Sequence, residues 1–380
     1  MNFKKLLMAS CVIAAASTTQ ADITIGVVTS SSGPVAMVGI PQKNSIALLP
    51  KKIGNENVRY ISLDDASDPT ASVKAVEKLI KENKVDAIIG PSGSPNATAV
   101  IGTIAKAQVP LLAPVGTSSI VQPMNEQKKW VFKTTQNDEI IAAALVQDMV
   151  KRKIKTLGFI GTADPYGENW GKVLANLAAK HGIKIVAKES FQRQDTSLTG
   201  QALKLISQKP QAILVAAPGS SAVPPQAALY DRGYRGQVYQ THGAALDQYL
   251  KLGGKKVENT ILAASLMLVI NEVPNTHPSK KVALKYINDY KAKYKQVPAT
   301  FGANVYDAGL LLEKAIPVAL KKAKPGTVQF RKELRQALEN TKEVAGTQGV
   351  YNMNAKDHSG FDKRGRELII VKNGQWKLLK

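Results

Sequence analysis

The stretch from Val85 to Val121 constrains the fold more than any other part of the chain. It predicts a short buried strand (Val85–Ile89), a tight loop (Gly90–Pro95), a helix (Asn96–Ala107) and a second buried strand (Val109–Pro114). A further small-residue loop, Val115-Gly116-Thr117-Ser118-Ser119, closes it. Ser94 followed by Pro95 fits a helix start, with Ser94 as the N-cap. A parallel strand–helix–strand unit puts both loops at the carboxyl edge of the sheet, where open α/β folds bind ligands. Amide groups at a helix start, with hydroxyls beside them, suit a carboxylate or another small anion. Gly/Ser/Pro turns also occur in α/β proteins that bind nothing there, so this stretch alone leaves both readings open.

The same alternation runs through the chain. Before the stretch come strands at Ile23–Thr29 and Val58–Leu63 and a helix behind Asp68-Pro69, with Asp68 capping and Pro69 in the first turn. Val73, Val76, Leu79 and Ile80 share one face of that helix. Lys133–Asp138 lacks apolar periodicity and reads as a crossing point, after which the alternation restarts. Helices are expected at Ile140–Val150, Trp170–His181, Leu198–Ser207 and Ala227–Arg232. Strands are expected at Thr156–Ile160, Ile183–Ser190, Ala212–Ala217 and Val238–Gln240. Leu262–Ile270 is apolar. Helical patterns follow at Ser279–Tyr294, Ala303–Lys322 and Gln329–Asn340, and a hairpin at Leu368–Val371 and Trp376–Leu378 around Asn373-Gly374. Tyr286, Tyr290 and Tyr294 recur every four residues, as a half-buried packing stripe does. Two α/β units with parallel sheets covered on both faces are the predicted class.

At 380 residues the chain exceeds what one core usually serves. Its first 21 residues have the layout of a secretory signal peptide: Lys4 and Lys5, the apolar run Leu6–Ala16, and a small-residue site ending at Ala21. The sole cysteine, Cys11, lies inside that leader, with the apolar run continuing past it, which disfavours lipidation. The mature chain then has no thiol, so disulfides, cysteine–zinc sites and cysteine nucleophiles are excluded. Formal net charge is +22, or +20 once Lys4 and Lys5 are removed. The lysines are scattered in pairs such as Lys255-Lys256, Lys280-Lys281 and Lys321-Lys322. A solvated basic surface fits this better than a nucleic-acid interface.

Enzyme chemistry finds little support. None of His181, His242, His277 and His358 stands at a metal-ligand spacing to another, so neither metal nor cofactor is expected. No Gly-x-Ser-x-Gly elbow occurs, and Gly90-Pro-Ser-Gly-Ser94 lacks a paired base.

In order, the chain carries Ser-Gly-Pro (32–34), Asp-Asp-Ala-Ser-Asp-Pro (64–69), Gly-Pro-Ser-Gly-Ser (90–94), Ala-Pro-Val-Gly-Thr (113–117), Asp-Pro-Tyr-Gly (164–167) and Gly-Ser-Ser-Ala (219–222). This series resembles the type I periplasmic-binding-protein family, on the branch of leucine/isoleucine/valine-binding receptors of ABC importers. The resemblance covers essentially the whole mature chain. It implies two Rossmann-like lobes joined by a three-crossing hinge: residues 22–137 with 269–346, and 138–268 with 347–380. The crossings would fall near Thr135–Asp138, Leu266–Ile270 and Gly346–Val350. It also implies a periplasmic, monomeric, non-enzymatic receptor that closes on a small molecule and docks on an inner-membrane permease.

By the same resemblance the ligand's carboxylate is held by Ser94 and Thr117, with backbone from Gly93, Val115 and Gly116. Tyr166 lines the cleft from lobe two, Phe301 offers an aromatic wall, and Ser32 and Gly219 lie in loops that border it. Two departures point to a changed ligand. Amino-acid-binding relatives carry an acidic residue for the ammonium where this chain has His242, and a common tyrosine near Gly219 is missing. A histidine is a poor partner for an ammonium. The expected ligand is therefore an aromatic or aliphatic acid, or an amide, with His242 placed to donate to its far end. An amino acid receptor, or a sensor of the same fold, remains the alternative. The relatives' small disulfide is also absent, with Ser67 and Gly93 in those places.

Overall fold

The computed structural model describes residues 23–380; the expected leader lies outside them. The first sheet is built from β1 (Ile23–Thr29), β2 (Lys52–Ile53), β3 (Glu56–Asp64), β4 (Ala87–Ile89), β5 (Leu111–Ala113) and β6 (Val131–Lys133). Its order is β2-β3-β1-β4-β5-β6, and every pairing is parallel except the short edge strand β2. Every residue of β1 is buried, as expected of a strand covered on both faces. Helices α1 (Ala36–Ser45), α2 (Pro69–Lys81) and α3 (Ser94–Ala107) connect these strands.

The second sheet follows α4 (Asp138–Lys151). It contains β7 (Thr156–Thr162), β8 (Lys184–Phe191), β9 (Ala212–Ala216), β10 (Gln237–Gln240) and β11 (Ile261–Ala264). Between them run α5 (Pro165–Lys180), α6 (Thr199–Ser207), α7 (Val223–Asp231) and α8 (Asp247–Gly253). The chain then forms α9 (Lys280–Tyr294), α10 (Thr300–Leu320), α11 (Val328–Glu339) and the small pair β12 (Val344–Ala345) and β13 (Val350–Tyr351). It returns to the second sheet as the hairpin β14 (Glu367–Lys372) and β15 (Gln375–Leu378), giving the order β15-β14-β11-β10-β9-β7-β8. Asn373 and Gly374 both have positive φ, the geometry a two-residue hairpin needs. Two Rossmann-like lobes result, and the chain crosses between them after β6, after β11 and after β13.

Helix α9 belongs with the first sheet. Tyr286 Oη lies 2.9 Å from Ser45 Oγ, Asn44 Nδ2 donates to Tyr290 Oη at 3.0 Å, and Tyr294 Oη donates to the Asn44 carbonyl at 2.8 Å. The tyrosine stripe is thus a packing surface against α1.

Some local expectations are corrected. The N-cap of α3 is Gly93, not Ser94; Ser94 and Pro95 form the first turn. Helix α5 begins at Pro165 rather than Trp170, because Asp164 Oδ1 accepts from the Tyr166 and Gly167 amides. Helix α7 begins at Val223, with Pro224 tolerated in its first turn. Helix α8 and edge strand β2 went unanticipated, both being short. Ser67 ties two loops together. Its hydroxyl donates to the Ser32 carbonyl at 2.7 Å and accepts from the Val35 amide at 3.0 Å.

Candidate functional site

In each sheet the connections leave in opposite directions at one gap, between β1 and β4 in the first and between β7 and β9 in the second. Carboxyl-edge loops at such gaps form the ligand crevice of open α/β folds. Here the two crevices face each other. Between them lies a narrow cavity of about 390 Å³, counted with its solvent-open mouth.

Lobe one contributes Ser92, Gly93 and Ser94 from the β4–α3 loop, and Pro114, Val115 and Gly116 from the loop after β5. The first-turn amides of α3 have no intrahelical acceptor and carry the positive end of its dipole. Gly90, at φ +114°, lets this loop lie against β1, since a Cβ there would fall 2.0 Å from the Val28 carbonyl oxygen. The second loop is held from beneath. Lys133, fully buried at the end of β6, donates its Nζ to the Gly116 carbonyl at 2.6 Å and to the Gln136 carbonyl at 3.3 Å. Burial lowers the pKa of Lys133, while Asp138 and Glu139 nearby favour its charge. Val35, Val38 and Phe301 add apolar wall, and Asn304 and Thr135 add polar groups.

Lobe two contributes Tyr166, Arg193, Pro218, His242 and Gly243. Tyr166 Oη lies 2.7 Å from Thr241 Oγ1, which fixes the ring. His242 follows β10 in a turn capped by the Thr241 hydroxyl. Its ring sits 6.3 Å from Tyr166 and 6.0 Å from Trp170, and its Nδ1 is buried without a partner. Burial, helped by the Lys133 charge, lowers its pKa to about 3, so the imidazole is neutral at physiological pH. Arg193 is held by Asp164, whose Oδ2 accepts from Nε at 2.6 Å.

Of the ten residues singled out in the sequence, Gly93, Ser94, Val115, Gly116, Tyr166, His242 and Phe301 line the cavity. Three do not. Thr117 turns away to cap a short 3₁₀ turn, its Oγ1 lying 2.8 Å from Ser119 Oγ and 3.5 Å from the Pro165 carbonyl across the cleft. Ser32 is exposed and donates to Asp64 Oδ2 at 2.8 Å. Gly219 packs toward Val38 and Met37 of lobe one. Arg193, Asn304 and Thr135 were missed. The cavity lining contains no aspartate or glutamate.

A second, smaller space of about 240 Å³, likewise counted with open solvent, shares Thr135, His242, Phe301 and Asn304 with the first. Among the described residues no His/Cys/Asp/Glu group could hold a metal, and no helix is long and apolar enough to cross a membrane.

A cavity enclosed between two α/β lobes is the arrangement of a small-molecule receptor. A profile of the periplasmic binding protein family matches residues 22–363. The chain belongs to that family, whose members bind small molecules for ABC transporters and are not enzymes. Among curated proteins it is similar to Leu/Ile/Val-binding protein homolog 3 of Brucella melitensis, 24% identical over 83% of this chain and 85% of that one. Among solved structures it is similar to an extracellular ligand-binding receptor from Rhodopseudomonas palustris HaA2. That structure has 42% identity and a TM-score of 0.92, over 95% of this chain and 100% of the other. A solute binding protein from R. palustris, solved in complex with benzoate, shares the fold at 19% identity and a TM-score of 0.79, over 94% and 95% of the two chains.

Proposed function

We propose that this chain is the extracytoplasmic receptor of an ABC importer and captures a small carboxylate that lacks an α-amino group. One observation carries the reading: the cavity lining holds no carboxylate to meet an ammonium, and the position that would supply one is a neutral histidine. The α3 N-terminus, the Ser94 hydroxyl and the Val115–Gly116 backbone offer charge-assisted hydrogen bonds to the acid without a lysine in the cleft. Closure would act at the three crossings, near residues 135–138, 266–270 and 346–350. The curated relatives are named for leucine, isoleucine and valine, and one structural neighbour was solved with benzoate; our reading follows the second chemistry.

A thermal-shift screen tests it. Binding to the folded state raises the melting temperature by mass action. Benzoate and short aliphatic acids should stabilise the mature protein, and leucine and valine should not. Tight binding of leucine would overturn the proposal.

A further inference from the structure

Arg193 presents a feature that a plain monocarboxylate leaves unused. Only 11% of its side chain is exposed, and it lines the cavity from lobe two. Asp164 takes its Nε, yet its Nη2 is buried and has no partner. A buried guanidinium N–H left unsatisfied is costly, so such a group marks a place where something else accepts. The anchoring is deliberate in shape. Asp164 also accepts from the Tyr166 and Gly167 amides and from the Thr162 hydroxyl, so the carboxylate that positions Arg193 is itself fixed by the start of α5.

Arg193 comes from lobe two, and the acid-binding rim from lobe one. Val35, Val38, Phe301 and Pro218 give the cavity apolar wall as well. The arrangement has a polar rim on lobe one, apolar walls and one partly engaged guanidinium on lobe two.

We propose that the ligand carries a second oxygen acceptor, at the end away from its carboxylate, and that Nη2 of Arg193 binds it. Arg193 is then a specificity-determining residue that selects acids with two oxygen-bearing ends over simple monoacids. A carboxylate or phenol oxygen meets the requirement; a second alkyl end does not. Binding of that oxygen also links the lobes through the ligand, a contact available only when the cleft is shut. This inference rests on the carboxylate reading of the lobe-one rim.

Calorimetry on the mature wild-type protein with paired probes tests it: benzoate against 4-hydroxybenzoate and terephthalate, and hexanoate against adipate. The bifunctional partner of at least one pair should bind roughly 10- to 100-fold tighter, the range for one hydrogen bond to a charged group. Arg193→Gln should erase that difference, weakening the bifunctional acid toward the affinity of its monoacid partner. Monoacids binding as tightly as their bifunctional partners, with Ser94→Ala still weakening them, would overturn the role of Arg193 alone. No acid binding at all would remove both readings. The wild-type comparison stands even if the Arg193 variant folds poorly.

Discussion

Gly116 of lobe one and His242 of lobe two meet with no room for a side chain between them. A Cβ built on Gly116 falls 2.9 Å from His242 Nε2 and 2.7 Å from Tyr166 Cε2. Both distances are shorter than real carbon contacts, and Tyr166 is held by Thr241. Closure therefore depends on the absence of one methyl group. Gly116→Ala should leave the melting temperature of the unliganded protein nearly unchanged while weakening the best acid of the screen at least tenfold, about 1.4 kcal/mol. Calorimetry measures the affinity, and small-angle scattering with and without ligand measures closure. A variant that closes and binds normally would show that the two rings yield.

Ser94 and Thr117 carry equal weight in the family resemblance but not in the geometry. Ser94 lines the cavity, and Thr117 spends its hydroxyl on Ser119 and the rim of α5. Ser94→Ala is expected to weaken acid binding by about 1.5–3 kcal/mol, the worth of a hydrogen bond to a charged group. Thr117→Val should cost less than about 1 kcal/mol in affinity and act on loop stability, as loss of a capping hydroxyl does. Titrations of both variants with one acid give the comparison. A larger loss from Thr117→Val would mean that the loop rearranges around the ligand.

Much of the architecture was legible because it rests on local chemistry. Asp68-Pro69 announced α2, and the cap is present, with Asp68 Oδ1 accepting from the Ala71 amide at 2.6 Å. Asp164-Pro165 is the same pair, yet the following Tyr-Gly-Glu resembles a turn, and the helix start was placed five residues late. Strand limits drifted by one or two residues because the small-residue loops continue the apolar runs. Arg193 was illegible for a different reason. It lies in the polar run Gln192-Arg-Gln-Asp195, and its meaning depends on Asp164, 29 positions earlier in the chain. His242 carried a signal only through the resemblance, as a residue where an acid was expected. Thr135 and Asn304 reach the cavity from a crossing segment and from α10, a convergence that no local pattern encodes.

The neutrality of His242 has a pH signature with a definite sign. Its folded pKa is lowered from 6.5 to about 3 by burial and by Lys133. Above pH 6.5 neither the folded nor the unfolded state holds the proton, and the group leaves stability unchanged. As the pH falls from 6.5 toward 3, the unfolded chain takes up a proton that the folded chain refuses. Stability is therefore lost on acidification, by up to about 1.4 kcal/mol per pH unit from this group. The raised carboxyl of Asp307, pushed up to about 7, acts with the opposite sign but is common to wild type and variant. His242→Gln should flatten the fall in melting temperature between pH 6 and pH 4. Parallel melting curves would mean that water reaches the imidazole.

A last set of hydrogen bonds joins the lobes away from the cavity. Asn169 on α5 donates its Nδ2 to Asp138 Oδ2 at 2.6 Å, within lobe two, and to Ser118 Oγ of lobe one at 3.1 Å. Ser118 in turn donates to Glu139 at 2.8 Å, again across the lobes. Burial raises the Asp138 pKa, so this latch sits in a poorly solvated place where an unmade bond is costly. None of these residues lines the cavity. Ser118→Ala removes only side-chain hydrogen bonds made across the lobes, to Asn169 and Glu139, so it is expected to shift the open–closed balance and leave the ligand contacts intact. Affinity should fall by about 0.5–1.5 kcal/mol, or roughly 2- to 10-fold. The loss should appear in the dissociation rate, since the open form that meets the ligand is unaltered. Stopped-flow binding separates the rates, and a slower association with unchanged dissociation would place the latch in the open form instead.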